Sequence, residues 1–288
     1  AGLVPPISGQ VSSKAGEPLP PRVEQRRPEQ LRAIQLIFQN PDESLNPRHT
    51  IAEILAQPLG LYFGLTGAPL RKRSIELLES VRLGAHYLDR LPSQLSGGEK
   101  QRVAIARAFA ADPDLVLCDE VTSALDVSVQ AAVLDLLDLL RRERGTAYLF
   151  VSHDLAVVRA LADRVAVLYQ GRLCEIGPTN RVYAVPCHPY TEALLGAVLE
   201  PEPDASPVLL AEDVVETSPP ARGCQFQRRC HRRIGEICDT HAPPERRGPD
   251  GHVVKCHIPL DELSKLQSRS SERAPRGAGE AASHNRSA

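Results

Sequence analysis

Three short apolar runs constrain this chain more than any other feature. They are LVLC at Leu115–Cys118, YLFV at Tyr148–Val151 and VAVLY at Val165–Tyr169. Between the first two, Val129, Val133, Leu136, Leu137 and Leu140 recur at i, i+4, i+7, i+8 and i+11. That spacing lines one face of a helix, and Gly145 is its natural stop. Leu155–Ala162 reads as a second helix, between the second and third runs. Short continuous apolar runs bounded by turns are buried strands, and strands that alternate with helices build a parallel sheet covered by helices. The predicted fold class is therefore α/β.

The flanking segments extend this reading. Ile34–Gln39 (IQLIFQ) reads as another buried strand. Residues 40–93 carry the turn signals Asn40-Pro41 and Asn46-Pro47, then the apolar sets Ile51, Ile54, Leu55 and Ile75, Leu78, Val81 at helical spacing. Gly97–Ala111 has helical period through Val103, Ala106 and Phe109, and Asp112-Pro113 closes it. Gln170-Gly171 predicts a hairpin turn into Leu173–Ile176. Upstream, residues 1–33 are rich in proline, glycine and charge and read as loops and short edge strands. Downstream, Tyr190–Leu199 reads as a short helix and residues 200–223, with five prolines, as a linker. From Asp261 the six serines, the many charges and the lack of aromatics predict disorder.

Charge and composition exclude two classes. The 34 basic and 36 acidic side chains give a net charge of −2, which argues against a globally basic nucleic-acid binder. No stretch approaches 18 apolar residues without a charge, the length a membrane span needs. The chain contains no Met, and Ala1 reads as a cut edge.

Five short motifs carry the chemistry. Asp119-Glu120 follows the LVLC run and so places two carboxylates at the C-terminal edge of a parallel sheet, where such sheets bind ligands. One can hold Mg²⁺, which prefers oxygen ligands, and the other can polarise an attacking water. Ser96-Gly97-Gly98-Glu99 opens a helix, and the free N–H groups and dipole of a helix start form a phosphate site. Ser123-Ala124-Leu125-Asp126 follows the acid pair, His153 in Val-Ser-His-Asp follows the next strand, and Gln39 ends the IQLIFQ strand. Taken singly, each motif also fits an ordinary acidic turn, a serine-capped helix or an exposed histidine.

Their order and spacing resemble the nucleotide-binding domain of ATP-binding cassette (ABC) proteins over about residues 1–178. The resemblance implies a P-loop NTPase-like domain with a helical subdomain at about 44–108. It matches Gln39 to the Q-loop and Leu95–Glu99 to the signature motif. Asp119 matches the Mg²⁺-linked Walker B acid, Glu120 the catalytic base, Ser123–Asp126 the D-loop and His153 the switch histidine. Asn40-Pro41 through Asn46-Pro47-Arg48, the run Ser123–Gln130 and His188-Pro189-Tyr190-Thr191 resemble the oligopeptide/dipeptide importer branch, with an extension over 179–260.

This implies an ATPase subunit at the cytoplasmic face of the membrane, using ATP and Mg²⁺. Its implied partners are a second nucleotide-binding domain, transmembrane permease subunits and, indirectly, a peptide-binding protein, with no nucleic acid. Departures from the pattern are the absence of G-x-x-x-x-G-K-[ST], Glu99 where Gln is usual and Val121 where Pro is usual. The missing loop is expected just upstream of Ala1. Two other readings stay open at this point: a non-catalytic subunit that offers only its signature motif, and a soluble ABC ATPase outside transport.

Seven cysteines are present, and Cys224, Cys230, Cys238 and Cys256 cluster late. Four thiolates in a loop-rich segment suit tetrahedral Zn²⁺ or an iron–sulfur cluster, with His231 and His257 as substitute ligands. The spacing does not choose the metal, and free thiols are the plain alternative; the resemblance favours [4Fe–4S]. Arg222, Arg228, Arg229, Arg232 and Arg233 read first as a solvated basic face, with contact to acidic lipid headgroups or an acidic partner loop as the alternative.

Overall fold

The computed structural model describes residues 1–123, 125–199 and 222–272, and the chain divides into two compact units, 1–153 and 154–288. The segment read as a linker, apart from Arg222 and Gly223, and the tail beyond Glu272 lie outside the described residues.

The first unit runs α1 (Pro28–Ala33), β1 (Ile34–Ile37), α2 (Pro41–Ser44), α3 (Ile51–Phe63), α4 (Gly67–Ser80), α5 (Gly97–Phe109), β2 (Leu115–Asp119), α6 (Val127–Arg144) and β3 (Ala147–Val151). The three strands form a parallel sheet in the order β1-β2-β3. The apolar face of α6 supplies Val133, Leu136, Leu137 and Leu140, all at most 1% exposed, to a core shared with Val116 and Cys118 of β2. Burying four aliphatic side chains of this size stabilises by about 1.5–3 kcal/mol each. Gly145 ends α6 at φ 64°, a left-handed conformation that glycine adopts without a Cβ penalty. Every element from α2 to α5 is helical, and α3, α4 and α5 bury Ile51, Leu55, Leu59, Leu77, Leu78 and Ile105 in the same core.

The second unit runs α7 (Leu155–Leu161), β4 (Arg164–Tyr169), β5 (Arg172–Pro178), α8 (Thr179–Val182), α9 (Pro189–Leu199), α10 (Glu236–Thr240), β6 (Glu245–Arg247), β7 (Val253–Lys255) and α11 (Leu260–Glu272). Its sheet is antiparallel in the order β4-β5-β7-β6. The expected hairpin turn is present, with Gln170 and Gly171 both at positive φ. This sheet corrects two expectations. The third apolar run does not extend the parallel sheet, and the chain does not divide at residue 178. The reason is pairing: β5 bonds to β7, so the hairpin belongs with the cysteine-bearing segment.

Residues 260–272 correct a third, because they form α11 where composition predicts disorder. Leu260, Leu263 and Leu266 recur every three residues and pack against Val254, Cys256 and Ile258. A polar average hides this stripe. Gln267 then fastens the helix: its amide accepts from Cys187 N–H at 3.0 Å and donates to Cys187 O at 2.9 Å.

The His188-Pro189-Tyr190-Thr191 motif has a structural explanation. Glu175 of β5 is fully buried, and a buried carboxylate requires partners. It accepts from His188 N–H at 3.0 Å and from the Thr191 hydroxyl, and His252 Nε2 lies 2.6 Å from its other oxygen. The motif thus docks the head of α9 onto β5. His188 Nδ1 accepts from Tyr190 N–H at 3.1 Å, which requires a neutral acceptor nitrogen.

Burial pushes the His188 ring from the ordinary 6.5 down to about 4. The unfolded chain therefore takes up this proton near pH 6.5 and the folded protein only near 4. Stability of the second unit is full above pH 6.5 and declines towards pH 4, by up to about 1.4 kcal/mol per pH unit. Urea unfolding at pH 7 and pH 5 should show this loss, and His188→Asn should flatten it; an equal pH slope in the variant would contradict the assignment.

Candidate active site

Strand register decides which side chains meet at the C-terminal edge of the parallel sheet. Ile37 stands opposite Cys118, and Asp119 opposite Val151. Gln39, Glu120 and His153 each follow one of these paired residues by two positions. They converge there. Gln39 Nε2 donates to Glu120 Oε2 at 2.8 Å and to Ser123 Oγ at 3.2 Å. His153 Nδ1 lies 3.3 Å from Glu120 Oε1. One carboxylate oxygen thus meets an amide and the other an imidazole.

The backbone aims this carboxylate. Glu120 has φ 43°, a region that costs a non-glycine residue about 1–3 kcal/mol and persists only where surrounding bonds hold it. Its N–H donates to Val151 O at 3.0 Å, and its carbonyl accepts from Ser123 N–H and Ser123 Oγ at 3.0 Å each. Val121 is 1% exposed in the core, so the residue standing where proline is usual anchors the turn by packing. Asp119 ends β2 with its side chain exposed at the same edge.

Ser96, Gly97, Gly98 and Glu99 form a second group, at the head of α5. Ser96 Oγ accepts from Glu99 N–H at 3.3 Å, and Glu99 Oε2 accepts from Ser96 N–H at 2.8 Å, a reciprocal cap. The two glycines have different surroundings. A Cβ on Gly98 would lie 2.5 Å from Val129 Cγ1, whereas one on Gly97 meets only Leu125 Cδ2, at 3.9 Å. Gly98 is therefore required where α5 approaches α6, and Gly97 leaves room. Asp126, expected to act at the nucleotide, caps α6: its Oδ1 accepts from Ser128 Oγ at 2.7 Å and Val129 N–H at 3.0 Å. These two bonds, the serine's first, hold its carboxyl below the usual range.

Several participants carry no sequence signal of their own. Tyr87 donates its hydroxyl to Glu99 Oε1. Lys100 Nζ lies 2.7 Å from Asp42 Oδ1, and Arg107 donates to the Ser44 carbonyl. These last two contacts fasten the segment after Gln39 to α5. Ser123 belongs to a motif legible in the sequence, but its bond from Gln39 was not.

The structure gives the metal expectation no support. Among the described residues no three His, Cys, Asp or Glu side chains gather closely enough to hold a metal ion. Cys224, Cys230, Cys238 and Cys256 are free thiols. Cys230 is within electrostatic range of the other three, and three of the four thiols pack in two apolar clusters. Cys224 and Cys230 pack with Tyr169, Cys174 and Phe226, whereas Cys256 packs with Val254, Ile258 and Leu263. Burial pushes the Cys230 thiol up to about 12 and the Cys256 thiol up to about 11. The substitute ligands point elsewhere: His231 meets Glu192 and His257 meets the His241 carbonyl. The described residues as placed therefore give no support to a [4Fe–4S] cluster or Zn²⁺ at these cysteines. The basic face is also partly paired internally, Arg232 with Glu192 and Arg233 with Asp239.

A carboxylate held between an amide and an imidazole at a parallel sheet edge, with a separate Gly-Gly helix start, has the parts of a nucleotide-hydrolysing domain. The family profile described as ABC transporter matches residues 1–123, and that of the oligopeptide/dipeptide transporter C-terminal region matches 174–238. The chain is 43% identical over 228 residues to the dipeptide transport ATP-binding protein DppF of Haemophilus influenzae, covering 78% of this chain and 69% of that protein. It resembles the solved structure of cbiO1 from Clostridium perfringens, part of the ABC transporter complex cbiONQ. The TM-score is 0.56 with 26% identity, over 63% of this chain and 70% of that one. It also resembles the dimeric ATP-binding cassette MJ0796 bound to ADP and Pi, with TM-score 0.51 and 31% identity, over 62% of this chain and 76% of that one. This chain belongs to the ABC transporter family of ATP-binding proteins, in its peptide-transporter branch.

The steric difference between the glycines gives a direct test. Gly98→Ala should lower stability by about 1–3 kcal/mol through overpacking against Val129, and Val129→Ala should restore much of it in the double variant. Gly97→Ala should leave the thermal unfolding midpoint unchanged or slightly raised. Equal midpoints for both single variants would refute this packing account.

Proposed function

We propose that this chain is the ATP-hydrolysing subunit that powers peptide import by an ABC transporter. The observation that carries the hydrolytic part is the Glu120 carboxylate held between Gln39 and His153. Glu120 orients and deprotonates the attacking water, as a positioned carboxylate can at hydrogen-bond range. His153 steadies the terminal phosphate from the same sheet edge. Gln39 directs its amide N–H groups at Glu120 and Ser123, which leaves its carbonyl to face a cation. Asp119 and that carbonyl are hard oxygen donors, and their chemistry fits Mg²⁺. The ion would supply charge neutralisation at the phosphates. Ser96, Gly97 and the N–H groups at the head of α5 receive the phosphate of a nucleotide held by a second copy or a related domain.

The peptide part is supported by the match of residues 174–238 to the oligopeptide/dipeptide C-terminal region. The partners in this reading are a second nucleotide-binding domain, transmembrane permease subunits and, indirectly, a peptide-binding protein. Among the described residues no helix is long and apolar enough to cross a membrane. The subunit then sits against the permease at the cytoplasmic face.

Proteoliposomes holding the full-length protein, its permease subunits and the binding protein test this. ATP should drive accumulation of labelled di- or oligopeptides, and Glu120→Gln should abolish it. Robust ATP hydrolysis with no peptide accumulation would overturn the substrate class.

A further inference from the structure

Glu99 brings a negative charge to a helix start whose free N–H groups and dipole favour an incoming anion. An acidic side chain free to swing there would compete with that anion. The structure shows how it is kept aside. Glu99 Oε2 accepts from Ser96 N–H at 2.8 Å, which turns the carboxylate back along the chain. Oε1 accepts the Tyr87 hydroxyl, reaching in from the short turn Ala85–Tyr87, twelve residues upstream. The Arg90 guanidinium stacks over the Tyr87 ring, 4.4 Å from its centroid, and holds the ring in place. Both carboxylate oxygens are thus occupied by groups that are not the ligand. The tyrosine hydroxyl first, and the Ser96 N–H next, hold the Glu99 carboxyl below the usual carboxylate range.

We propose that Tyr87 is a positioning residue. It clamps the Glu99 carboxylate against Ser96 and away from the phosphate received at the head of α5, so that an acid is tolerated at this position. The inference rests on the ATPase reading above. Tyr87 touches no reacting atom in this account; it acts only through Glu99.

The test uses the full-length protein and Tyr87→Phe, which keeps the ring beneath Arg90 and removes only the hydroxyl. KM for MgATP should rise about two- to fivefold, the worth of a charge released at a helix start, with kcat little changed. In a Glu99→Gln background the same Tyr87→Phe change should leave KM where it was, because no carboxylate remains to be held. A second readout is independent of turnover. The ¹³C resonance of the Glu99 carboxyl should titrate at higher pH in Tyr87→Phe, with Arg90, Arg102 and Ser96 still facing the pair. A parent enzyme that hydrolyses ATP with KM unmoved by Tyr87→Phe overturns the inference and leaves the ATPase reading standing. A KM rise of the same size in the Glu99→Gln background overturns it too, because Tyr87 would then act by another route. A parent that neither binds nor hydrolyses ATP overturns the ATPase reading, and the inference with it.

Discussion

The candidate site depends on the pairing of β2 between β1 and β3. Because all three strands run parallel and in matched register, their C-terminal ends fall at one level. Gln39, Glu120 and His153 then meet without any further device. A slip of one residue would reverse the face of every side chain on the slipped strand. The core beneath forbids it: Val116 and Cys118 of β2 point into the layer filled by α6, and reversal would bring Leu117 and Asp119 there instead. Packing of apolar side chains thus fixes the position of polar ones that lie at the sheet edge.

From that register the strain at Glu120 follows. The strand must end and turn within one residue, and the turn is held by a bond from Glu120 N–H to β3, two bonds from Ser123 and the buried Val121 side chain. The carboxylate therefore leaves the sheet in one direction. Close approach of α5 and α6 requires Gly98, while Gly97 has room for a side chain. The two glycines of one motif thus differ in what holds them, and only the neighbouring side chains reveal the difference.

Much of this was legible in the sequence because it is local. The LVLC-Asp-Glu run, the Ser-Gly-Gly-Glu helix start and the i, i+4, i+7 stripe of α6 each state their structure within a few residues. Contacts between residues far apart in sequence were not legible. Nothing near Tyr87 announces its bond to Glu99, and nothing near Asp42 announces Lys100. The third apolar run looked like a core strand, yet its hairpin partner β5 pairs in turn with β7, far later in the chain, and pairing of that range leaves no local mark. Cys224, Cys230, Cys238 and Cys256 show the opposite case. Their spacing invited a metal, but a buried thiol also packs as a small apolar group, and here Cys224 and Cys230 join one apolar cluster and Cys256 another. In α11, composition outweighed a three-residue leucine stripe that periodicity alone would have read as a helix.

The central claim is that Glu120 is the group that activates water. It is tested most directly by MgATP binding and single-turnover hydrolysis in full-length Glu120→Gln, compared side by side with the parent. The account predicts binding within a few-fold of the parent and hydrolysis slowed by at least about a hundredfold. Hydrolysis at the parental rate, with binding intact, would contradict it.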